Sequence, residues 1–378
     1  MNTEQTVYPA DHPGDRVVEA PPRGRTGAAK LLKLEAIRGL AAFYVVLHHT
    51  IKFEYYLFGL DLGQLLRFGQ EAVILFFIVS GFVIHLSYQT TKDKSFKTYF
   101  IKRFARIYVP LIIVFGVGFL LESVRRGAMI DLPLIQLVGN LLMLQDWPAD
   151  KPGVLIEPLL GNDPLWSLAY EWWFYMLYFP LVQLMSDHKR LSLFVFAMAA
   201  VAAVVYTLYP SFIPRIFMYA GIWWTGVFLA ELYIRQEPFT LRTCVLPLGA
   251  LALICGVLLL KVVAWRYAGG ELFLGRHPLI ELRHTGFALA SIVCAIIWHR
   301  CQWIGFNYIV GPFVVLAPIS YVIYISHYHL MTTAFWFTDV GNSVVLWFLY
   351  FVGLLAFSWV VELRLYPMVR RRLYALFL

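Results

Sequence analysis

Residues 37–50 read IRGLAAFYVVLHHT. An apolar run fit for a membrane begins at Arg38 and closes on His48 and His49. Ionisable side chains inside a bilayer are costly, and they usually face a cavity, a partner or a substrate path. On an α-helix eleven residues return to within about 20° of the same face, so Arg38 and His49 share a stripe, roughly 16 Å apart along the axis. His48 points about 100° away. Glu35, three residues before Arg38, is close enough to pair with it. Gly39, Ala41 and Ala42 permit close approach of a neighbouring helix. An arginine alone at this position is explained by snorkelling to the interface. Three ionisable groups on one face read better as a site.

Composition sets the solvent. The 378 residues are 60% hydrophobic, 17% aromatic and only 14% charged, with mean hydropathy +0.68. A soluble domain carries roughly a quarter charged residues, so this chain is expected to be an all-α polytopic membrane bundle. Hydropathy places about ten spans of roughly 20 residues, at 35–53, 70–88, 104–121, 164–185, 191–209, 216–234, 243–264, 281–299, 311–332 and 343–365. Residues 1–33 are polar and Pro/Gly-rich, with no apolar core leading to a cleavage site, and are expected as a disordered cytoplasmic tail. The membrane domain then covers 34–366, and 367–378 forms a short basic cytoplasmic end. The stretch LIQLVGNLLML, within the long segment 122–163, is too short to span and is expected to be interfacial or re-entrant.

The net charge of +8 does not call for nucleic acid, because loops obeying the positive-inside rule explain it. With ten spans and an inside N-terminus, 21 of the 31 Lys and Arg fall on the inner side, which puts both termini in the cytoplasm. Cys244, Cys255, Cys294 and Cys301 have no CxxC spacing and read as packed thiols, with no metal site expected.

Other apolar runs also carry polar groups. In NDPLWSLAYEWWFYMLYFP, residues 162–180, Glu171 must be paired or protonated, and Trp166, Ser167, Tyr170 and Tyr175 fall within one or two turns of it. ISYVIYISHYHL contributes Ser320, Tyr321, Ser326, His327 and His329. In KRFARIYVP, Arg103 and Arg106 share one face at the inner mouth. Their guanidinium forks suit phosphate, although positive-inside charge alone accounts for them equally well. A secondary transporter also places His, Glu and Arg within its spans, and a polysaccharide flippase or polymerase is likewise polytopic and cationic.

The succession LEAIRGLAAFYVVLHH, AVILFFIVSGFVI, FIKRFARIYVP, PLWSLAYEWWFY and ISYVIYISH resembles the integral-membrane acyltransferase-3 family over residues 34–365. The most specific elements are the Arg-x10-His spacing, the FFxxSGF box that holds Ser80, and WSLxxExxFY. The resemblance implies transfer of an acyl group, commonly acetyl from acetyl-CoA, to a hydroxyl of a carbohydrate such as a surface polysaccharide or glycolipid, in a bacterial inner membrane. It implies His49 as the essential histidine, Arg38 as its partner, Glu35 in place of the usual Asp, and Glu171 as the conserved glutamate. Arg103 and Arg106 fall in the motif expected to meet the CoA phosphates. Trp172 stands where a second Glu is frequent, so Glu171 would act alone. The expected mechanism brings the thioester past Arg38 to His49, with Glu171 orienting the imidazole and no metal taking part. Ser80, Ser167, Trp166, Tyr170, Tyr175, Tyr321 and His327 are the expected lining. Membrane lipid is the other expected partner, and the sequence does not set the oligomeric state.

Overall fold

With no water to bond its peptide groups, a chain in lipid must close its backbone hydrogen bonds internally, and helices do so within one segment. A computed structural model describes residues 25–50, 56–57, 60–336 and 344–378, and it is almost wholly helical. In chain order the helices are α1 (Arg25–Thr50), α2 (Gly69–Thr90), α3 (Phe96–Arg126), α4 (Leu134–Leu141), α5 (Trp166–Leu184), α6 (His188–Leu208) and α7 (Phe212–Ile234). They continue with α8 (Val245–Tyr267), α9 (Leu279–Arg300), α10 (Phe306–Ile309), α11 (Ser320–Trp336), α12 (Val344–Val360) and α13 (Tyr366–Phe377). Two-residue strands, Tyr56–Leu57 and Leu60–Asp61, pair antiparallel between α1 and α2.

Among the described residues, eight helical segments are long and apolar enough to cross a membrane. Two long helices, α1 and α5, fall outside that set. They hold Arg38, His48, His49 and Glu171 with much aromatic and polar surface, which lowers their hydropathy. With these two the bundle has the approximately ten long helices expected. Its outside is apolar, as lipid requires: Leu253, Leu259 and Leu260 on α8 and Phe348, Leu349 and Val352 on α12 are exposed. The centre is aromatic, with Phe77, Tyr170, Phe174, Tyr219 and Trp223 packed together.

Several boundaries differ from expectation. Helix α1 starts at Arg25, inside the expected tail, while residues 1–24 lie outside the described set. The run GPFVVLAPI, expected within a span, is a 3-10 segment (Gly311–Ile319) leading into α11. Pro312 and Pro318 lack the N–H that an α-helix needs. The LIQLVGNLLML stretch forms the short α4, which buries Gly139 and Asn140 and exposes Leu134, Ile135 and Val138, as an interfacial helix should. After α12 a π-turn, Val361–Leu365, runs directly into α13.

The tightest helix crossing is that of α2 with α7. A Cβ at Gly81 would collide with the Trp223 carbonyl, and one at Gly226 with the Ile78 carbonyl. Small residues facing one another let two backbones touch. The SGF of the sequence box therefore supplies a contact point as well as Ser80. Gly226→Ala should destabilise the protein by about 1–3 kcal/mol through overpacking. Gly116→Ala, where a Cβ meets nothing, is the control. Thermal unfolding in detergent checks the pair, and equal transition temperatures would contradict the close crossing.

Candidate active site

The Arg38–His49 stripe of α1 lies against one continuous segment, 311–336. Arg38 Nη2 donates to the Ala317 carbonyl at 2.9 Å, and a Cβ at Gly39 would collide with the Phe313 carbonyl. Eleven residues on, the His49 ring lies 5.2 Å from that of His327 and 5.4 Å from that of Tyr328, centroid to centroid. His48 turns instead toward α2. Its Nδ1 meets the Leu66 carbonyl, and its ring fills the space that a side chain at residue 69 would need. Helical phase separates the two histidines as their spacing predicts.

Glu35 departs from expectation. It is exposed and, among the described residues, makes no ion pair with Arg38. The guanidinium is drawn instead to a backbone carbonyl of the 3-10 segment.

Arg38 opens onto a cavity of ≈ 180 Å³ that also receives Arg103, Arg106, Glu171, Ser80, Ser167, Tyr175 and Tyr321. Engineered apolar cavities of about 150 Å³ hold benzene, so this space takes a narrow arm and not a whole nucleotide. Glu171 accepts from Ser80 Oγ at 2.7 Å and from the Tyr175 hydroxyl. Trp223 Nε1 donates to Ser80 at 3.3 Å, and the Tyr321 hydroxyl donates to the Ile107 carbonyl at 2.9 Å.

The two α3 arginines are unequal. Arg106 pairs with the buried Glu362, carried by the π-turn, and lies over the Tyr321 ring. Arg103 donates to Ser87 Oγ at 3.1 Å and lies over Tyr99 and Tyr175. Its Nε is buried without a protein partner, as is the Nε of Arg38.

The inner wall of the cavity includes Tyr324 and Ser167, whose hydroxyls lie 2.8 Å apart. His327 lies beyond Tyr324, with ring centroids 6.1 Å apart. His327 Nδ1 is 2.7 Å from the Tyr324 carbonyl and 3.2 Å from that of Ile323. Carbonyls only accept, so Nδ1 carries the proton. Nε2 is then the lone-pair nitrogen, buried and without a partner, on a ring that touches His49. An arginine-lined cavity thus ends one aromatic layer short of a histidine pair.

A family model described as an acyltransferase domain, that of acyltransferase-3, matches residues 31–363. The chain belongs to the acyltransferase-3 family. It is a membrane acyltransferase, which sets the transporter and flippase alternatives aside. No curated protein and no solved structure matches it significantly.

In this acyltransferase the WSLxxExxFY motif serves two faces of α5. Ser167, Glu171 and Tyr175, at i, i+4 and i+8, face the cavity. Trp166 and Tyr170 lie about 100° round the helix and correct the expected lining. Tyr170 donates to Asp146 and receives Arg215 Nε at 2.7 Å. Trp166 stacks on His284 and carries Lys151 Nζ 3.3 Å from its ring centre. Asp146, Lys151 and Arg215 are fully enclosed, joined by contacts of 3.0 and 2.7 Å. This second network braces the 142–165 segment against α7, since buried charges must be paired.

Glu171 is placed with the arginines, and His49 with His327 and Tyr328. Among the described residues Glu171 meets no imidazole: it accepts from Ser80 and Tyr175, in the cavity that the three arginines also line. Sequence reading missed Glu362, Tyr324 and the Asp146 network. Only Arg215, alone in the apolar run FIPRIF, gave a visible signal.

Proposed function

We propose that this membrane acyltransferase moves an acyl group, commonly acetyl, from acyl-CoA to a hydroxyl of a carbohydrate acceptor. The convergence of Arg38, Arg103 and Arg106 on one narrow cavity carries the reading. Phosphates of the donor bind at the Arg103 end, and the pantetheine arm enters the cavity. The thioester then passes Arg38 toward His49, and the acceptor arrives from the opposite face. His49 removes the hydroxyl proton as the oxygen attacks the thioester carbonyl, or it first accepts the acyl group itself. Either route ends with acylated acceptor and free CoA thiol. The proton that the His49 ring takes from the hydroxyl passes to the departing CoA sulfur, and the neighbouring His327 ring supports the imidazole during that transfer. Glu171 limits the repulsion among the three arginines and holds Ser80 and Tyr175 in place. Both termini face the cytoplasm of a bacterial inner membrane, in line with the distribution of Lys and Arg.

Donor binding tests this directly. Acetyl-CoA at a hundred times its Kd should stabilise the purified protein by about 2.7 kcal/mol. Arg103→Ala should raise the donor KM about tenfold or more with kcat partly spared, the pattern of lost uniform binding. Arg103→Lys should rescue incompletely, since an ammonium lacks the fork. Arg106→Ala should cost more stability than affinity, because it strands the buried Glu362. Absence of any CoA-dependent stabilisation, with an unchanged donor KM in folded Arg103→Ala, would overturn the assignment.

A further inference from the structure

We propose that His85, His188 and Glu231 form a binding site for a divalent cation of the zinc class, separate from the cavity. One ligand atom from each residue lies within 4.8 Å of the other two. His85 Nε2 is 3.0 Å and His188 Nδ1 3.9 Å from the same oxygen of Glu231. Zinc takes imidazole nitrogen and carboxylate oxygen at about 2.0–2.2 Å, so ligand atoms around it stand roughly 3.3 Å apart. The trio needs only a small closure to reach that spacing.

The fold prepares the site. His85 lies one turn beyond Gly81 on α2, and Glu231 five residues beyond Gly226 on α7. The backbone contact of those two helices therefore sets the His85–Glu231 distance. His188 is the first residue of α6, fixed by its cap Asp187, which accepts from Lys189 N and Arg190 N.

The surroundings match what metal ligands require. The second nitrogen of His85 is 2.9 Å from the Tyr178 hydroxyl, the kind of outer partner that orients a ligating imidazole. The second oxygen of Glu231 is held by Arg235, which leaves the first oxygen facing both histidines. Arg235 balances the carboxylate from outside. His85 is fully buried, while the His188 and Glu231 side chains are 25% and 16% exposed. That exposure gives the ion a way in and leaves a coordination position for water. Bound there, the ion ties α2, α6 and α7 at their ends. Tyr178 connects this point to α5, whose Glu171 and Tyr175 line the cavity. His85 and Glu231 are 146 residues apart, so no sequence spacing announces them.

The test uses full-length, tag-free protein in detergent, stripped with chelator and titrated with Zn²⁺ or Co²⁺. One equivalent should bind, and Co²⁺ should give visible bands of four- or five-coordinate intensity. Zn²⁺ should shield His188 from diethyl pyrocarbonate, read by peptide mass, a measurement that needs no variant. His188→Ala and Glu231→Gln should each weaken binding tenfold or more, and Tyr178→Phe about 10- to 100-fold. Failure of the intact protein to take up either ion, or His188 modified equally with and without Zn²⁺, would overturn the site. So would unchanged affinity in folded His188→Ala. In that event the trio is a proton-bridged His–Glu cluster only.

Discussion

Replacing His49 with alanine should abolish acyl transfer, while His48→Ala should keep most turnover per folded molecule. The two residues are adjacent in the chain and opposite in role because of helical phase. His49 lies against His327 and Tyr328 on α11, beyond the arginine cavity. His48 spends its Nδ1 on the Leu66 carbonyl and its ring on the Gly69 backbone. Its loss removes one hydrogen bond and some packing, about 1–2 kcal/mol of stability. The His49 variant should insert and bind CoA like the parent. Activity normalised to monodisperse protein checks both variants, and the reverse order of effects would contradict the register of α1 and the mechanism together.

Arg38→Ala is expected to reduce kcat/KM for the acyl donor about 30- to 1,000-fold, ~2–4 kcal/mol for losing a buried charge-assisted partner. Arg38 shares the α1 stripe with His49, lines the cavity, and has an Nε with no protein partner. The variant should still fold. The Ala317 carbonyl it abandons also accepts from Ser320 Oγ at 2.8 Å, so no backbone acceptor is stranded. Arg38→Lys should recover only part of the loss. Steady-state kinetics with acetyl-CoA decides it, and unchanged donor kinetics in a folded Arg38→Ala would remove Arg38 from the donor path.

What was legible in the sequence follows from how locally each feature is encoded. The Arg38–His49 stripe could be read because eleven residues is nearly an integral number of helical turns, and both residues face segment 311–336. Arg103 and Arg106 could be placed on one face because residues three apart are neighbours on a helix surface. The difference between them could not, since the Glu362 that neutralises Arg106 lies 256 residues away in a π-turn. WSLxxExxFY was visible as one motif, yet Trp166 and Tyr170 serve a brace while Ser167, Glu171 and Tyr175 serve the cavity. Only the partners across the bundle decide which face is which. Glu35 shows the limit of helical spacing: it is near Arg38 in sequence, but the Ala317 carbonyl of the 3-10 segment holds the guanidinium. The hydropathy of α1 and α5 is low because these helices carry Arg38, His49 and Glu171.

The most direct measurement is transfer of isotopically labelled acetyl from acetyl-CoA in membranes that contain the protein, followed by mass analysis of the carbohydrate fraction. The expected result is label on carbohydrate hydroxyls with the parent protein and none with His49→Ala. Equal labelling with His49→Ala, or no transfer to carbohydrate by the folded parent protein, would contradict an acyl-CoA-dependent carbohydrate acyltransferase that works through His49.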